Sequence, residues 1–191
     1  MIYPELRFDL SDALRFLGVK NGGDDMTVSL INSVFEEIKS QAEVKVFSVK
    51  DRLQHLTQGV NCFSRNFLSK NLGARMTSAA SIILVGATLG HSIDRLIKRY
   101  SLTNSARSAV MQAVAGSVVD CLIDDVEKEI KKDNEVVFRY SVGYGDFDLS
   151  YQKDCLEILE AQKTLGITLS DGYIMSPSKS VTAFIGVKEK I

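Results

Sequence analysis

Tryptophan is absent from this 191-residue chain and proline occurs only twice. Nothing in it reads as low-complexity or disordered. The three cysteines, Cys62, Cys121 and Cys155, are widely spread. An odd number at these spacings excludes a disulfide framework and a C-x-x-C metal pair. Cys121 and Cys155 each fall on an apolar helix face, where a thiol behaves as a small buried hydrophobe. Only two histidines occur, His55 and His91, in unrelated segments. Neither has the spaced ligands of a zinc site, and no G-x-S-x-G elbow accompanies them, which argues against a metal centre and a hydrolase triad. The start, MIYPELRFDL, lacks the basic-then-apolar pattern of a signal peptide. The most apolar run, AASIILVGATLG, is too short to span a bilayer. Excess charge is lacking too: the net charge is -1 and the pI about 6.1. That argues against bulk nucleic-acid binding, which needs a basic surface. A soluble, cytoplasmic protein is expected, with no nucleic-acid or membrane partner.

About 45% of the residues are hydrophobic, enough for the core of one ordinary domain. DLSDALRFLGV carries Leu10, Ala13, Leu14 and Leu17 at helical spacing and ends on Gly18. MTVSLINSVFEEIKSQA is a second helix. EVKVFSVKD alternates as a half-buried strand. A short strand or loop is expected near 55–61 and a helix near 64–72. SIILVGA, 81–87, reads as a strand buried on both faces. HSIDRLIKRY is a helix, and SARSAVMQAVAGSVVDCLIDDVEKEIKK is a longer one with a stripe from Ala106 to Val126. The last third reads strand (EVVFRYS), glycine loop, helix (SYQKDCLEILEAQKTLG), strand (LSDGYIMSPS) and strand (SVTAFIGVK), the final two antiparallel. The fold class is α+β or mixed α/β, in one layered unit.

Three stretches suggest chemistry. Gly86 and Gly90, in LVGATLGHSIDRL, lie between a strand and a helix, where an anion can sit on a helix N-terminus, or where the chain simply turns tightly. Asp120, Asp124 and Asp125 form either a solvated acidic face or, at Asp120, the edge of a cleft in need of a partner. The strongest is FRYSVGYGDFDLSYQK. Arg139 offers a rigid fork of donors for a carboxylate. Gly143 and Gly145 permit positive φ or close approach of a ligand. Tyr144 supplies a stacking face and a hydroxyl. The alternative for this stretch is a glycine-rich turn beside a surface arginine.

Residues 138–186, FRYSVGYGDFDLSYQKDCLEILEAQKTLGITLSDGYIMSPSKSVTAFIG, resemble the activation (reactivation) domain of cobalamin-dependent methionine synthase, more closely its free-standing bacterial relatives. The shared features are an Arg-x-x-x-Gly-Tyr turn, a helix ending in Gly, a Leu-Thr/Ser-Glu/Asp-Ser/Gly-aromatic strand, Pro-x-x-Ser-Val and a final strand. ALRFLGV and the stretch from ILVGATLG to VVDCL are similar to the free-standing relatives as well. GDFDLSYQK departs from the family, which carries a proline-rich loop ending in Pro-Asp/Glu-His after its Gly-Tyr.

The resemblance implies a twisted antiparallel or mixed sheet flanked by helices, one of them long. It implies one domain over 1–191, with an N-terminal helical segment at 1–42 and the main body at 43–191. It implies S-adenosylmethionine as ligand, with Arg139 on the methionine carboxylate, Asp120 facing the amino group, and Ser141, Gly143 and Tyr144 lining the adenosyl and backbone-contact side. No catalytic residue and no metal site are implied. The expected role is that of an accessory subunit in vitamin B12-dependent methionine biosynthesis. It would present S-adenosylmethionine to the corrinoid of a cobalamin-binding methionine synthase partner, with flavodoxin or another electron donor, so cobalamin enters only through the partner. The chain would then belong to a methyltransferase system rather than act as an enzyme alone. Two alternatives stay open: a fold-retaining module that docks on corrinoid proteins without binding nucleotide, and an S-adenosylmethionine-dependent methyltransferase of a small substrate.

Overall fold

The computed structural model describes residues 5–20 and 22–189. Residues 1–4, 21, 190 and 191, which fall within the expected single domain, lie outside the described residues. At the centre is a four-stranded antiparallel sheet in the order β1 (Lys45–Arg52), β5 (Ser81–Thr88), β9 (Ser180–Glu189), β6 (Asn134–Tyr140). The apolar run at 81–87 sits in the middle of it, buried along its whole length. Its side chains divide by the two-residue period of a strand. Ile82 and Leu84 point into one core with Phe184, while Ile83, Val85 and Ala87 point into clusters on the opposite face.

Helices α1 (Leu10–Phe16), α2 (Asp25–Gln41), α4 (His91–Thr103) and α5 (Ser105–Asp133) share one apolar core. Their starts follow from local chemistry, because an oxygen before the first turn accepts an otherwise orphaned N–H. Asp9 accepts from the Asp12 amide, Asp24 from the Thr27 amide and Asn104 from the Arg107 amide. The 29 residues of α5 run about 43 Å. Burial of its Val110, Met111, Val114, Val118 and Leu122 is worth about 1.5–3 kcal/mol per side chain. Glu37 on α2 ties three helices: it accepts from Arg107 at 2.7 Å and from the Tyr100 hydroxyl at 2.8 Å, with Arg99 at 3.2 Å.

The other face of the sheet carries a small antiparallel sheet, β2 (Gln54–Leu56), β3 (Gly59–Cys62) and β4 (Arg65–Leu68), then α3 (Lys70–Arg75), α6 (Gln152–Ile158) and α7 (Ala161–Thr164). Leu159 and Leu165 lie so close to β5 that a Cβ at Gly86 would meet them at 2.9 and 2.6 Å.

The α+β reading and the long helix agree with this architecture. Four expectations need correction. The helix expected at 64–72 begins only at Lys70, because residues 65–68 form β4 after a tight turn at Phe63 and Ser64. The helix expected from Ser150 to Gly166 is broken into a 3-10 turn (Leu149–Tyr151), α6 and α7, with Glu160 in a left-handed conformation at the break. The strand expected at 169–178 is instead a small hairpin of β7 (Thr168–Leu169) and β8 (Met175–Ser176). Strand β9 pairs with β5 and β6 rather than with this hairpin, so the last two strands are not neighbours.

Candidate functional site

Strand β6 leaves the sheet at Tyr140, and a groove of about 520 Å³ opens beside it. That size suits a small-molecule ligand. Asp120 and Ile123 of α5 form one wall, and the end of β6 with the following turn forms another, from Phe138 to Val142 with Tyr144. Leu149, Gln152, Tyr173 and Met175 close the far side, and Ser180–Ala183 of β9 lie along the floor.

The turn is fixed by its own backbone. The Gly143 N–H donates to the Phe147 carbonyl at 2.7 Å, and the Phe147 N–H donates to the Tyr144 carbonyl at 3.0 Å. The Tyr140 hydroxyl donates to that same carbonyl at 3.1 Å. Gly143 has φ +84° and Gly145 φ +56°, conformations that disfavour a side chain. At Gly145 a Cβ would also meet Asn71 and the Tyr140 hydroxyl at 2.5 and 2.6 Å. Phe147 anchors the turn in the core among Phe67, Tyr140, Tyr151 and Phe184.

The two aspartates of the turn cap helices. Asp146 accepts from the Ser69 hydroxyl at 2.5 Å and from the Lys70 and Asn71 amides at 2.8 and 3.2 Å, so it closes the start of α3. Asp148 accepts from the Ser150 amide at 2.8 Å and starts the 3-10 turn. Hydrogen bonds, led by those of the Ser69 and Ser150 side chains, hold both carboxyls below the ordinary range.

Of the five expected ligand residues, Arg139, Ser141, Tyr144 and Asp120 line the groove. Gly143 shapes the turn behind them. The Arg139 side chain is 29% exposed; its Nη2 lies 2.7 Å from Asp124 and its Nη1 lies 3.2 Å from Glu127. That Nη1 is buried and has no hydrogen-bond partner among the described residues. Tyr144 stands at the rim, 67% exposed. Asp120, exposed and one helical turn before Asp124, makes no hydrogen bond or close ion pair among the described residues. Loss of water raises it above the ordinary carboxylate range, and Asp12 and Asp124 add to the rise, against the pull of Arg139 and Arg15. Opposite charges thus line one groove, with Arg139 already ion-paired to Asp124 and Glu127 and Asp120 left without such a pair among the described residues.

Asp124 and Glu127 were not among the expected site residues. Their signal is present, since Asp120, Asp124 and Glu127 recur at i, i+4 and i+7, one face of a helix. Asp125 points elsewhere and pairs with Arg7 at 2.7 Å. Gln152 and Thr182, both buried, hydrogen-bond to each other at 3.0 and 3.1 Å beneath the groove.

The other candidates lie apart. Gly86 is inside β5, and Gly90 caps α4 in a tight turn, with its N–H on the Thr88 hydroxyl and Glu43 packed against it. The His55 ring approaches the Ala79 carbonyl at 3.1 Å, and His91 is the first residue of α4; neither lines the groove. All three cysteines are buried. Among the described residues no cluster of His, Cys, Asp or Glu is arranged to hold a metal ion, and no helix is long and apolar enough to cross a membrane.

No family model matches this chain, and no curated protein matches it. Among solved structures, a crystal structure of the MetH reactivation domain bound to AdoHcy superposes with a TM-score of 0.73, over 96% of this chain and 75% of that one. The fold is that of the MetH reactivation domain. Sequence identity across the match is 11%. What the two share is therefore the architecture: the antiparallel sheet, the flanking helices and the long α5.

Proposed function

We propose that this chain binds S-adenosylmethionine in the groove beside β6 and presents it to the corrinoid of a cobalamin-binding methionine synthase partner during reductive reactivation. Arg139 takes the ligand's carboxylate through its guanidinium, in exchange for its ion pairs with Asp124 and Glu127. Asp120 takes the amino group. Ser141 and Tyr144 meet the adenosyl side, and Gly143 gives the turn its shape. The reading is carried by the meeting of the Arg139 guanidinium and the Asp120 carboxylate, opposite charges, in one ligand-sized groove. Such a pair suits the zwitterionic end of an amino acid. The fold, shared with a domain crystallised with AdoHcy, supports the same ligand class.

The groove lining includes no histidine, cysteine or lysine. Its one carboxylate, Asp120, is taken up by the ligand's amino group in this reading, which favours a module that delivers a methyl group to an external acceptor over a standalone methyltransferase. The chain works as one domain, because α1 and α2 share a core with α4 and α5. Flavodoxin or another one-electron donor acts with it, in the cytoplasm.

One observation favours a second reading. Arg139 already has Asp124 and Glu127 beside it, so the fold can satisfy its charge internally and serve only to dock on a corrinoid protein. Reconstitution separates the two. The chain is mixed with a methionine synthase that lacks its own activation domain, in the oxidised cob(II)alamin state, with S-adenosylmethionine and a one-electron reductant. The proposal expects the methylcobalamin spectrum to appear only when the chain is present. Complex formation without methylation would favour docking alone.

A further inference from the structure

Strand β1 is an outer strand of the central sheet. All eight of its residues pair with β5 on one side, without a shift in register. Among the described residues no strand pairs with its other side. Alternate residues of an antiparallel strand turn both N–H and C=O to the same side, so half of those in β1 direct them outward. Among the described residues no turn or loop hydrogen bond reaches the backbone of 45–51. Such an edge is a template for a further strand. It carries no proline and no bulge, and its charges are of both signs: Lys45, Lys50, Asp51 and Arg52. Strand β6, the outer strand on the far side, differs. Its register shifts between Val136 and Phe138, and an irregularity of that kind blunts an edge.

The charges of β1 complement a second copy of itself. With two β1 strands antiparallel about a two-fold axis through Ser48, Lys45 of each copy meets Asp51 of the other, and Phe47 of each meets Val49 of the other. These four residues share one face of the strand, the face on which Val49 packs against the core of Ile82, Leu84 and Phe184. Opposite charges and an aromatic ring against a β-branched side chain are the cross-strand pairs that stabilise a sheet. On the other face Ser48 meets Ser48 and Val46 meets Lys50, so no like charges oppose. Other axes do worse. Centred on Phe47, Glu43 meets Asp51; centred on Val49, Phe47 meets Asp51; centred on Lys50, two lysines meet. Lys45 is exposed and makes no ion pair among the described residues, and Phe47 is 37% exposed. Asp51 is held in place, since its carboxylate accepts from the Phe63 amide and, at 2.8 Å, from the Arg52 amide.

We infer that β1 is the interface of a two-fold homodimer, in which two four-stranded sheets join into one of eight strands. Each copy uses the same edge, so the contact closes on itself and builds no filament. The groove beside β6 lies at the opposite edge of the sheet, about 14 Å away at the spacing of neighbouring strands, and stays open in both copies. The dimer therefore stands or falls independently of what that groove binds.

The test is analytical ultracentrifugation of the full chain over a range of concentrations, beside Lys45→Glu, which sets two carboxylates against each other twice across the axis. The expected result is a monomer–dimer equilibrium that Lys45→Glu weakens about 10- to 100-fold while circular dichroism is unchanged. A second measurement does not depend on that variant folding. A short bis-maleimide should link Ser48→Cys into a covalent dimer but leave Ser101→Cys, at the exposed end of α4, monomeric; the native thiols are buried. A native chain that is monomeric at every concentration overturns the inference and leaves the edge to a strand of another protein. A dimer that a folded Lys45→Glu leaves unweakened, or a linker that joins both cysteine variants or neither, overturns it as well.

Discussion

Replacing Phe147 with alanine should damage both the fold and the groove, because this side chain is where the glycine turn enters the core. Phe147 is 1% exposed. Its ring stacks on Tyr140 at 6.2 Å, lies edge-on to Phe67 at 6.1 Å, and meets Tyr151 and Phe184 at 5.4 and 5.5 Å. Truncating a phenylalanine in such a core costs about 3–5 kcal/mol, since the lost burial is compounded by a cavity that neighbouring rings fill only in part. For a domain of this size each kcal/mol lowers Tm by about 2–4 °C, so a fall of about 6–20 °C is expected. Urea unfolding followed by circular dichroism should show a lower midpoint with an unchanged slope. The Phe147 amide also holds the Tyr144 carbonyl, so the ligand-side turn should loosen in the same variant. A loss below about 1 kcal/mol, the range of an ordinary surface change, would refute the claim that the turn hangs from the core through this ring.

Three further outcomes are expected. Burial works to raise the Glu37 carboxyl, but hydrogen bonds from Arg107 and Tyr100, with the charges of Arg107 and Arg99, outweigh it and hold the group below its ordinary value of 4.5. Its stabilisation is therefore present above that value and lost as pH falls through the lower folded value. Glu37→Gln should cost about 1–3 kcal/mol at pH 7 and flatten the acid limb of a urea midpoint-versus-pH curve; an unchanged limb would contradict the clamp. The three thiols should resist a thiol reagent until the chain unfolds, since burial raises all three, Cys62 to about 12; rapid native labelling would contradict their burial. Ser64→Gly should raise stability by about 0.5–1 kcal/mol, because residue 64 sits at φ +56° in the β3–β4 turn, where glycine removes a side-chain clash at some entropic cost; a lower urea midpoint would contradict that.

Much of the sheet and helix layout was legible because burial imposes a period. The unbroken apolar run at 81–87 fits the buried central strand, and Val110, Val114, Val118 and Leu122 of the expected α5 stripe lie in the core shared with α1, α2 and α4, while Val126 packs with the sheet and Ala106 is exposed. The failures lie where tertiary packing overrides local preference. Phe63 and Ser64 turn a hairpin with neither Gly nor Asn, while the Phe63 amide is held by Asp51 from another strand, so nothing local announces β4. Glu160 breaks the last helix in a left-handed conformation without a glycine to mark it. At the site, the Arg-x-x-x-Gly-Tyr segment was legible as a turn beside a cation. The acidic face of α5 was legible too, but not its pairing with Arg139, because Asp124 and Glu127 reach it from α5 across to β6. The end of β6 at Tyr140, beside which the groove opens, was equally hidden.

The central claim is that the groove holds S-adenosylmethionine through Arg139. Isothermal titration of the purified chain with S-adenosylmethionine, and with S-adenosylhomocysteine alongside, tests it most directly when repeated on Arg139→Ala. Saturable heat at micromolar ligand for the native chain, lost in a variant whose circular dichroism is unchanged, is the predicted result. No heat from the native chain at high ligand concentration, or equal binding by the variant, would contradict it.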